Sequence, residues 1–250
     1  MRIDFTDQVV LVTGATRGIG RQISDDLLRL GATLILTGRS EEGINKLHES
    51  LTEKIKDRVS VVKADFSERQ SMEAFLEKVR DYGRIDVCVN NAGINRINYI
   101  DETDLEDWDE INMVNLRAPF IIIREISRIM KENGYGRIVN IASIFGHISR
   151  EKRSVYSATK FGLRGLTMAA SNDLAKYNIL VNAVSPGFVL TELTKNILSK
   201  REIKELAHQI PVKRLAMPDD ISRVVLFLAS SLNTYITGQS IVVDGGYVNV

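Results

Sequence analysis

A tyrosine and a lysine four positions apart are the residues whose types most directly suggest chemistry. Tyr156 and Lys160 occur in a segment with helical periodicity, so they lie on one face of the expected helix. A free tyrosine has a pKa of about 10, and a nearby ammonium group lowers that pKa by stabilising the phenolate. Tyr156 is therefore a candidate proton donor and acceptor. The same pair occurs by chance on many surface helices, so it requires support from other residues.

A serine is expected in the same cleft. Ser143 ends the strand that is predicted immediately before the helix with Tyr156. In a parallel sheet, ligands collect outside the carboxyl ends of the strands, where a hydroxyl can hydrogen-bond a substrate oxygen. Ser143 and Tyr156 are thus predicted to line one substrate cleft.

A glycine-rich turn follows the first predicted strand. It reads Gly14-x-x-x-Gly18-x-Gly20 and opens an amphipathic segment over residues 21–30. Glycines allow the backbone to turn sharply and to approach a pyrophosphate, while the first amides and the positive dipole end of the helix face the phosphate charge. The spacing departs from the Gly-x-Gly-x-x-Gly dinucleotide fingerprint, so an ordinary strand-to-helix turn is the alternative.

The end of the second predicted strand indicates which dinucleotide would bind. An acidic residue there would hydrogen-bond the ribose 2′-hydroxyl of NAD(H) and repel the 2′-phosphate of NADP(H). The sequence at that end is Leu36-Thr-Gly-Arg-Ser40, without a carboxylate. Arg39 offers a planar guanidinium for a phosphate, and Arg17 in the glycine turn is a second cation. NADP(H) is therefore favoured over NAD(H), and the alternative is two solvated surface arginines.

The elements that must position these residues alternate along the whole chain. Short apolar runs are separated by longer segments with helical periodicity, which is typical of a doubly wound, Rossmann-like α/β sheet with helices on both faces. A single domain over residues 1–250 is predicted, because no linker or change in composition divides the chain. The predicted strands cover residues 9–13, 33–37, 59–63, 87–90, 137–142, 180–185 and 240–243.

Three local signals predict where helices begin. Thr103-x-x-Glu106 and Ser67-x-x-Gln70 have the spacing of capping boxes, in which a hydroxyl and a longer polar side chain satisfy the first helical amides. Pro218 suits a first helical turn.

Charge and composition exclude several classes of function. Lys and Arg together number 33 and Asp and Glu 32, so there is no global basic field to attract nucleic acid or anionic lipid. The first residues lack the apolar run of a signal peptide, and no segment reaches transmembrane length, which predicts a soluble cytoplasmic protein. The single cysteine, Cys88, lies in an apolar strand pattern and is predicted to be a core residue. No nucleic-acid, membrane or metal site is expected.

The combination of these motifs is far more specific than any one of them. From end to end, the chain resembles members of the short-chain dehydrogenase/reductase family, in which the same features occur in the same order. These features are Thr13-Gly-x-x-x-Gly-x-Gly20, Asp65, Asn90-Asn91-Ala92-Gly93, Asn115, Ser143, Tyr156-x-x-x-Lys160 and Pro186-Gly187-x-x-x-Thr191.

The resemblance implies catalytic roles for four residues. Tyr156 would be the general acid in reduction and the general base in oxidation, and Ser143 would orient and polarise the substrate carbonyl. Lys160 would hold the nicotinamide ribose and lower the pKa of Tyr156. Asn115 would position the water of a proton relay that leads from Lys160 to solvent.

The resemblance also implies which residues bind NADP(H). Asp65 would contact the adenine, residues 91–93 would line the adenosine ribose, and Val189 with Thr191 would orient the nicotinamide carboxamide. The complete predicted set is Gly14, Thr16, Arg17, Gly18, Ile19, Gly20, Arg39, Asp65, Asn91, Ala92, Gly93, Tyr156, Lys160, Pro186, Val189 and Thr191. Some have simpler alternatives, since Asn91 can end a strand, Thr191 can cap a helix and Pro186 can begin a plain turn. In relatives, the last strand and the long helices build a homotetramer.

The substrate is less constrained than the chemistry. Within the family, the chain most resembles bacterial 3-oxoacyl-(acyl-carrier-protein) reductases, through Asn91-Ala-Gly-Ile-Asn-Arg96 and Ser185-Pro-Gly-Phe188. Gly134 and Tyr177 stand where those reductases carry arginines that contact the acidic carrier protein. A 3-oxoacyl thioester is therefore the first substrate hypothesis, and a sugar, sugar acid or polyol is the alternative. A catalytically silent NADP-binding sensor is the second class of function.

Two segments bear on substrate access. The loop over residues 147–153 carries Arg150, Lys152 and Arg153 beside the expected substrate entrance, where cations would favour a carboxylate, phosphate or nucleotide-sugar substrate. A solvated loop or a subunit contact is an equally good interpretation of this loop. Residues 191–209 lie where relatives have a mobile lid.

Overall fold

Seven parallel strands form one sheet in the computed structural model of the protein. The structure describes residues 2–249, and the side chains of all of these except Glu53, Lys54, Leu193 and Ile197. The strands are β1 (Val9–Val12), β2 (Thr33–Gly38), β3 (Val59–Lys63), β4 (Val87–Asn90), β5 (Gly136–Ile141), β6 (Ile179–Pro186) and β7 (Ser240–Val243). Every boundary lies within one residue of its predicted position, so the strand predictions are confirmed.

Helices fill the connections between the strands. They are α1 (Gly18–Arg29), α2 (Glu41–Glu49), α3 (Glu53–Lys56), α4 (Arg69–Asp81), α5 (Leu105–Asn112), α6 (Ala118–Asn133), α7 (Ser154–Leu174), α8 (Glu192–Ile197), α9 (Lys200–Gln209) and α10 (Pro218–Ala229). A π-helical turn, Met113–Arg117, joins α5 to α6, and short 3-10 turns occupy Ile100–Glu102, Ile144–Gly146, Ala175–Tyr177 and Tyr247–Asn249. None of the helices in the described part of the chain is long and apolar enough to cross a membrane.

Two apolar clusters cover the two faces of the sheet. Side chains of a strand point alternately to opposite faces, so Val10 packs in one cluster and Leu11 in the other. The first cluster includes residues of α1 and α10, and the second includes residues of α4, α6 and α7. Because both faces are buried, the strands are apolar almost throughout, and the predicted doubly wound architecture is confirmed.

The strand order places a crevice beside β1. The order is β3-β2-β1-β4-β5-β6-β7, so the chain winds outward in one direction from β1 and then returns to build the other half from β4. The reversal leaves the loops after β1 and β4 without a helix between them. Ligands of such sheets bind at this switch point.

A buried chain of polar side chains connects the strands with α7. Asn90 Nδ2 donates to Asn140 Oδ1 over 2.9 Å, and Asn140 Nδ2 donates to Thr167 Oγ1 over the same distance. The Thr167 hydroxyl in turn donates to the carbonyl of Leu163 at 2.7 Å. Buried amides cost free energy when they lack partners, so this chain fixes how α7 sits against β4 and β5.

Both predicted capping boxes are wrong. Helix α5 begins after Asp104, and the Thr103 hydroxyl donates instead to the carbonyl of Tyr99 at 2.8 Å. Helix α4 begins after Glu68, and the Ser67 hydroxyl donates to the carboxylate of Asp65 at 2.6 Å. Ser67 and Thr103 each lie one position before the N-cap residue, so their hydroxyl oxygens do not cap the first helical amides. Pro218 does occupy the first turn of α10, as predicted.

We expect Cys88 to be unreactive in the folded protein. The side chain is fully buried in β4, and burial raises the pKa of the thiol because a thiolate there would lose its hydration. A thiol-specific chromogenic reagent at pH 8 should therefore label the native protein only as slowly as it unfolds, and should label one thiol per chain at once in guanidinium chloride. Prompt labelling of one equivalent without denaturant would contradict the buried position.

Candidate active site

The tyrosine and lysine lie in the first turns of α7. Lys160 Nζ is 5.5 Å from the ring centroid of Tyr156, so the two side chains are neighbours, as the spacing predicts. Lys160 is 4% exposed, and its ammonium donates to the carbonyl of Ile141, at the end of β5, over 2.8 Å. This hydrogen bond ties the helix to the strand that precedes Ser143.

Burial dominates the protonation of both groups. It lowers the pKa of Lys160 to about 8. Burial also raises the pKa of Tyr156, against the opposite effects of a hydrogen bond from Ser143 and of the charge of Arg153. The prediction of a lowered tyrosine pKa is therefore wrong for this arrangement, because the loss of hydration outweighs the nearby charges. Tyr156 is held in the protonated form at neutral pH.

Ser143 is positioned by a 3-10 turn that follows β5. Its Oγ accepts a hydrogen bond from the amide of Phe145 at 3.1 Å, which fixes the hydroxyl at the start of the turn. Contacts with α7, β6 and β7 also hold the turn in place. Arg164 of α7 donates to the carbonyl of Gly146, and His147 Nε2 lies 3.1 Å from the Oγ atoms of both Ser185 and Ser240.

Asn115 lies in the π-helical turn between α5 and α6. Its Nδ2 donates to the carbonyl of Ile94, its Oδ1 accepts from the amide of Ile94, and both distances are 2.8 Å. Nδ2 also lies 3.3 Å from Thr159 Oγ1 on α7. A Cβ atom on Gly93 would be 3.4 Å from Asn115 Oδ1 and 3.7 Å from Lys160 Nζ, so these groups surround one point. The π turn was not predicted, since its sequence contains no glycine or proline to signal it.

The glycine turn is locked to the end of β4. Asn91 Nδ2 donates to the carbonyls of Thr13 and Gly14 at 2.9 and 3.0 Å. In return, Thr13 Oγ1 accepts from the amides of Asn91 and Ala92 at 2.9 and 3.0 Å. A Cβ on Gly20 would lie 2.3 Å from Asn91 Nδ2 and 2.4 Å from the carbonyl oxygen of Gly14, so no other residue fits there. Asn91 therefore holds the glycine turn in place in addition to following the end of β4.

The loop after β6 reaches the same turn. Thr191 caps α8 by accepting from the amide of Thr194 at 3.2 Å, which is the simpler alternative for this residue. It also lies beside the glycine turn, because a Cβ on Gly18 would be 3.5 Å from its Cγ2. Val189, which follows Pro186 in this loop, forms an isolated parallel bridge with Ala216. The two loops therefore face each other across the crevice.

The remaining predicted cofactor residues surround the start of α1. Gly14 and Gly18 both have positive φ, at +65° and +58°. Thr16 lies against the end of β2, because a Cβ on Gly38 would be 2.6 Å from its Cγ2. Ile19 packs against the first apolar cluster.

Arg39 is engaged by two carboxylates that sequence alone did not associate with it. Its Nε lies 2.7 Å from Asp65 Oδ2, and its Nη1 lies 3.4 Å from Glu110 Oε1 on α5. Burial raises the pKa of Asp65, but the hydrogen bonds from Ser67 and the charge of Arg39 lower it by a larger amount. The net pKa is below the ordinary value, so the carboxylate is ionised. Arg17, by contrast, is exposed and forms no ion pair with any described residue.

Comparison with known proteins identifies the family. A family profile described as enoyl-(acyl carrier protein) reductase matches residues 14–248. The 3-oxoacyl-(acyl-carrier-protein) reductase of Aquifex aeolicus is 39% identical over 98% of this chain and 99% of its own length. The enzyme of the same name from Escherichia coli is 36% identical, with 98% of each chain covered. The chain belongs to the short-chain dehydrogenase/reductase family. It is an oxidoreductase that acts on CH–OH and C=O groups.

Solved structures of other short-chain dehydrogenases/reductases share the fold. A protein from Agrobacterium tumefaciens provisionally assigned as a gluconate dehydrogenase superposes with a TM-score of 0.91 at 30% identity, covering 99% of this chain and 98% of that one. A provisionally assigned NAD(P)-dependent gluconate 5-dehydrogenase from Beutenbergia cavernae, solved with bound NADP, also gives 0.91, at 33% identity with 99% of each chain covered.

We expect Gly20→Ala to destabilise the protein by about 1–3 kcal/mol, because the added methyl group must displace Asn91 or the Gly14 carbonyl. Gly165→Ala is the matched control. Gly165 lies within α7, where an added Cβ meets no atom within 4 Å, so this substitution should be neutral or stabilise by about 0.5–1 kcal/mol. Urea unfolding followed by circular dichroism measures both. Equal midpoints for the two variants would contradict the close approach at Gly20.

Proposed function

We propose that the protein interconverts a ketone and a secondary alcohol with NADP(H), and that Tyr156 transfers the proton. The observation that carries this proposal is the convergence of Asn115, Ser143, Tyr156 and Lys160 at the carboxyl ends of β4 and β5. A silent cofactor-binding sensor would not require these four side chains to be held together by buried hydrogen bonds.

The protein residues divide the work of the reaction. The nicotinamide, when bound, supplies or accepts the hydride. Tyr156 is protonated at neutral pH, since burial raises a tyrosine pKa that is ordinarily already about 10, so it can donate to the carbonyl oxygen in reduction. The phenolate that results is stabilised by the Ser143 hydrogen bond and by the nearby charges of Arg153 and Lys160. The Lys160 ammonium lies beside the tyrosine for its reprotonation, and Asn115 lies with Lys160 around Gly93.

The glycine turn and its neighbours fit a phosphorylated dinucleotide. Side chains are excluded at Gly14 and Gly20, and the turn opens a helix whose first turn contains no acidic residue. Arg17 and Arg39 flank the turn, and no carboxylate occurs within the end of β2, which supports NADP(H) as the cofactor. Asp65 and Glu110 hold Arg39 at this rim. NADP is bound in the structural neighbour from Beutenbergia cavernae.

A 3-oxoacyl thioester is the first substrate hypothesis, on the strength of relatives 36–39% identical that carry that name. Lys131 and Lys176 both lie over the ring of Tyr177, with their Nζ atoms 4.6 and 5.2 Å from its centroid. The carrier-protein reductases have arginines at the positions of Gly134 and Tyr177. Here these two lysines would supply the positive charge for an acidic carrier protein instead. A sugar acid or polyol is the second hypothesis, favoured by the gluconate dehydrogenase neighbours.

The homotetramer and the cytoplasmic location implied by the family stay predictions. Exposed apolar side chains on α6 and α7, including Phe120, Phe161 and Met168, would be covered in such an assembly. Mobility of the segment 191–209, which forms α8 and the exposed α9, also stays a prediction.

The function is tested by loss of NADPH absorbance with acetoacetyl thioesters, keto sugar acids and simple ketones. Tyr156→Phe should reduce kcat by at least about 10³-fold and leave the NADPH dissociation constant within about twofold, because only the transferable proton is removed. Tyr235→Phe is the control, since that tyrosine is 94% exposed. Turnover of a thioester supports the first substrate hypothesis, and turnover of sugar acids alone supports the second. Retained kcat in Tyr156→Phe would contradict the proton-transfer role.

Cofactor preference is tested at Arg39. We expect Arg39→Ala to raise the KM for NADPH about tenfold, which corresponds to the loss of one charged hydrogen bond to the 2′-phosphate. The KM for NADH should not change, because NADH has no phosphate at that position. Equal increases for both cofactors would show that Arg39 acts through its contacts with Asp65 and Glu110 rather than through the phosphate.

A further inference from the structure

An aromatic cluster lies beside the candidate catalytic residues. The ring of Phe145 contacts those of Tyr156 and Phe188 edge to face, with both centroid distances at 6.3 Å. Phe188 also packs on Tyr247, near the carboxyl end of the chain, at 5.1 Å. Phe145 follows Ser143 by two residues, so the cluster forms the wall of the cleft on the side of the loop 147–153.

Two arginines of that loop lie over the aromatic cluster. The guanidinium carbon of Arg150 is 5.6 Å from the centroids of both Phe145 and Phe188, and that of Arg153 is 5.5 Å from Phe145. Both guanidinium groups therefore lie over the same ring, that of Phe145. Arg153 is also close enough to Tyr156 for its charge to lower the pKa of the phenol against the effect of burial.

These charges have no counterion in the part of the chain that the structure describes. Among residues 2–249, no ion pair involves Arg150, Lys152 or Arg153. Arg39 and Arg96, on the other side of the crevice, each pair with two carboxylates. The difference is therefore local to the loop and does not reflect a general shortage of acids.

Arg153 is the more constrained of the two. Its Nε atom is buried and has no hydrogen-bond partner among the described residues. Burial and the charge of Arg150 both lower its pKa, which means that its charged form is held at a cost in free energy. One bound anion would accept a hydrogen bond from the unpartnered Nε of Arg153. It would also reduce the repulsion between the charges of Arg150 and Arg153.

We propose that Arg150 and Arg153 bind a carboxylate of the substrate, so that the ketone reduced beside Tyr156 is a short keto acid and the alcohol a hydroxy acid. A guanidinium that lies over a ring leaves its N–H edge free, and that edge matches the two oxygens of a carboxylate. Arg153 and Tyr156 both contact the ring of Phe145, so a carboxylate bound to Arg153 would lie only a few bonds from a carbonyl beside Tyr156. The inference rests on the proposed ketone reduction for its catalytic part only. It favours an acid substrate over the 3-oxoacyl thioester, which has no free carboxylate.

Binding is tested first, independently of turnover. Calorimetric titration with short saturated carboxylates and with the corresponding amides, with and without NADP⁺, should detect the carboxylates alone. The double variant Arg150→Ala/Arg153→Ala should abolish this binding, while Lys78→Ala, an exposed cation on α4, should leave it unchanged. Equal affinity for acids and amides, or undiminished binding in the double variant, would overturn the inference whether or not the protein turns over any ketone.

Turnover is tested with short keto acids and their methyl esters. In the wild type we expect a higher kcat/KM for the acids. In the double variant kcat/KM for the acids should fall by about 10²-fold more than kcat/KM for the esters, mainly through KM, because the esters lose only the effect of the Arg153 charge on Tyr156. Arg153→Lys should restore only part of the preference, because it keeps the charge but not the planar fork. Equal use of acids and esters by the wild type would overturn the inference and leave ketone reduction standing, whereas binding of acids without reduction of any ketone would refute the proposed reaction alone.

Discussion

Burial of the parallel sheet on both faces is the constraint on which the rest of the structure depends. Helices cover the two faces, so the only openings in the sheet are at the ends of its strands. The candidate functional side chains therefore come from the loops and helical turns at the carboxyl edge. Ser143 follows β5, Asn91 follows β4, and Tyr156 lies in the first turn of α7. The reversal of strand order at β1 makes this edge a crevice.

Buried hydrogen bonds make the crevice rigid where the chemistry occurs. Asn91 fastens the glycine turn to β4, Asn115 fastens the loop after β4 to α7, and Lys160 fastens α7 to β5. Each of these polar groups would be costly if it were buried without partners, so the contacts specify one arrangement of strands and helix. The same burial shifts protonation, since it raises the pKa of Tyr156 and lowers that of Lys160 to about 8.

The arginines at the two ends of the crevice differ in whether they are paired with carboxylates. At the end near β2, Arg39 is shared between Asp65 and Glu110, so it is held in place but partly neutralised. At the end near the loop 147–153, Arg150 and Arg153 lie on aromatic rings without a carboxylate in the described chain. Ion pairs fix a side chain, while unpaired and partly desolvated cations attract an anion strongly. The first arrangement suits the positioning of a cofactor phosphate, and the second suits the binding of a charged substrate.

The sequence by itself determined the elements and the residue types. The alternation of apolar runs with helical periodicity predicted all seven strands to within one residue, because a strand buried on both faces is a local pattern of four to eight residues. The spacing of Tyr156 and Lys160 and the glycine turn are local in the same sense. Together with Asp65, residues 90–93, Asn115, Ser143 and residues 186–191 in the same order, they indicated the family.

Only the tertiary structure decided what depends on residues distant in the chain. The capping boxes failed because α4 and α5 each begin one residue later than predicted, after Glu68 and Asp104. The direction of the Tyr156 pKa shift depends on burial against other elements, which spacing does not report. The pairing of Arg39 with Glu110 joins residues 71 positions apart. Local patterns encode local structure, whereas hydration and charge pairing arise only once distant segments have packed together.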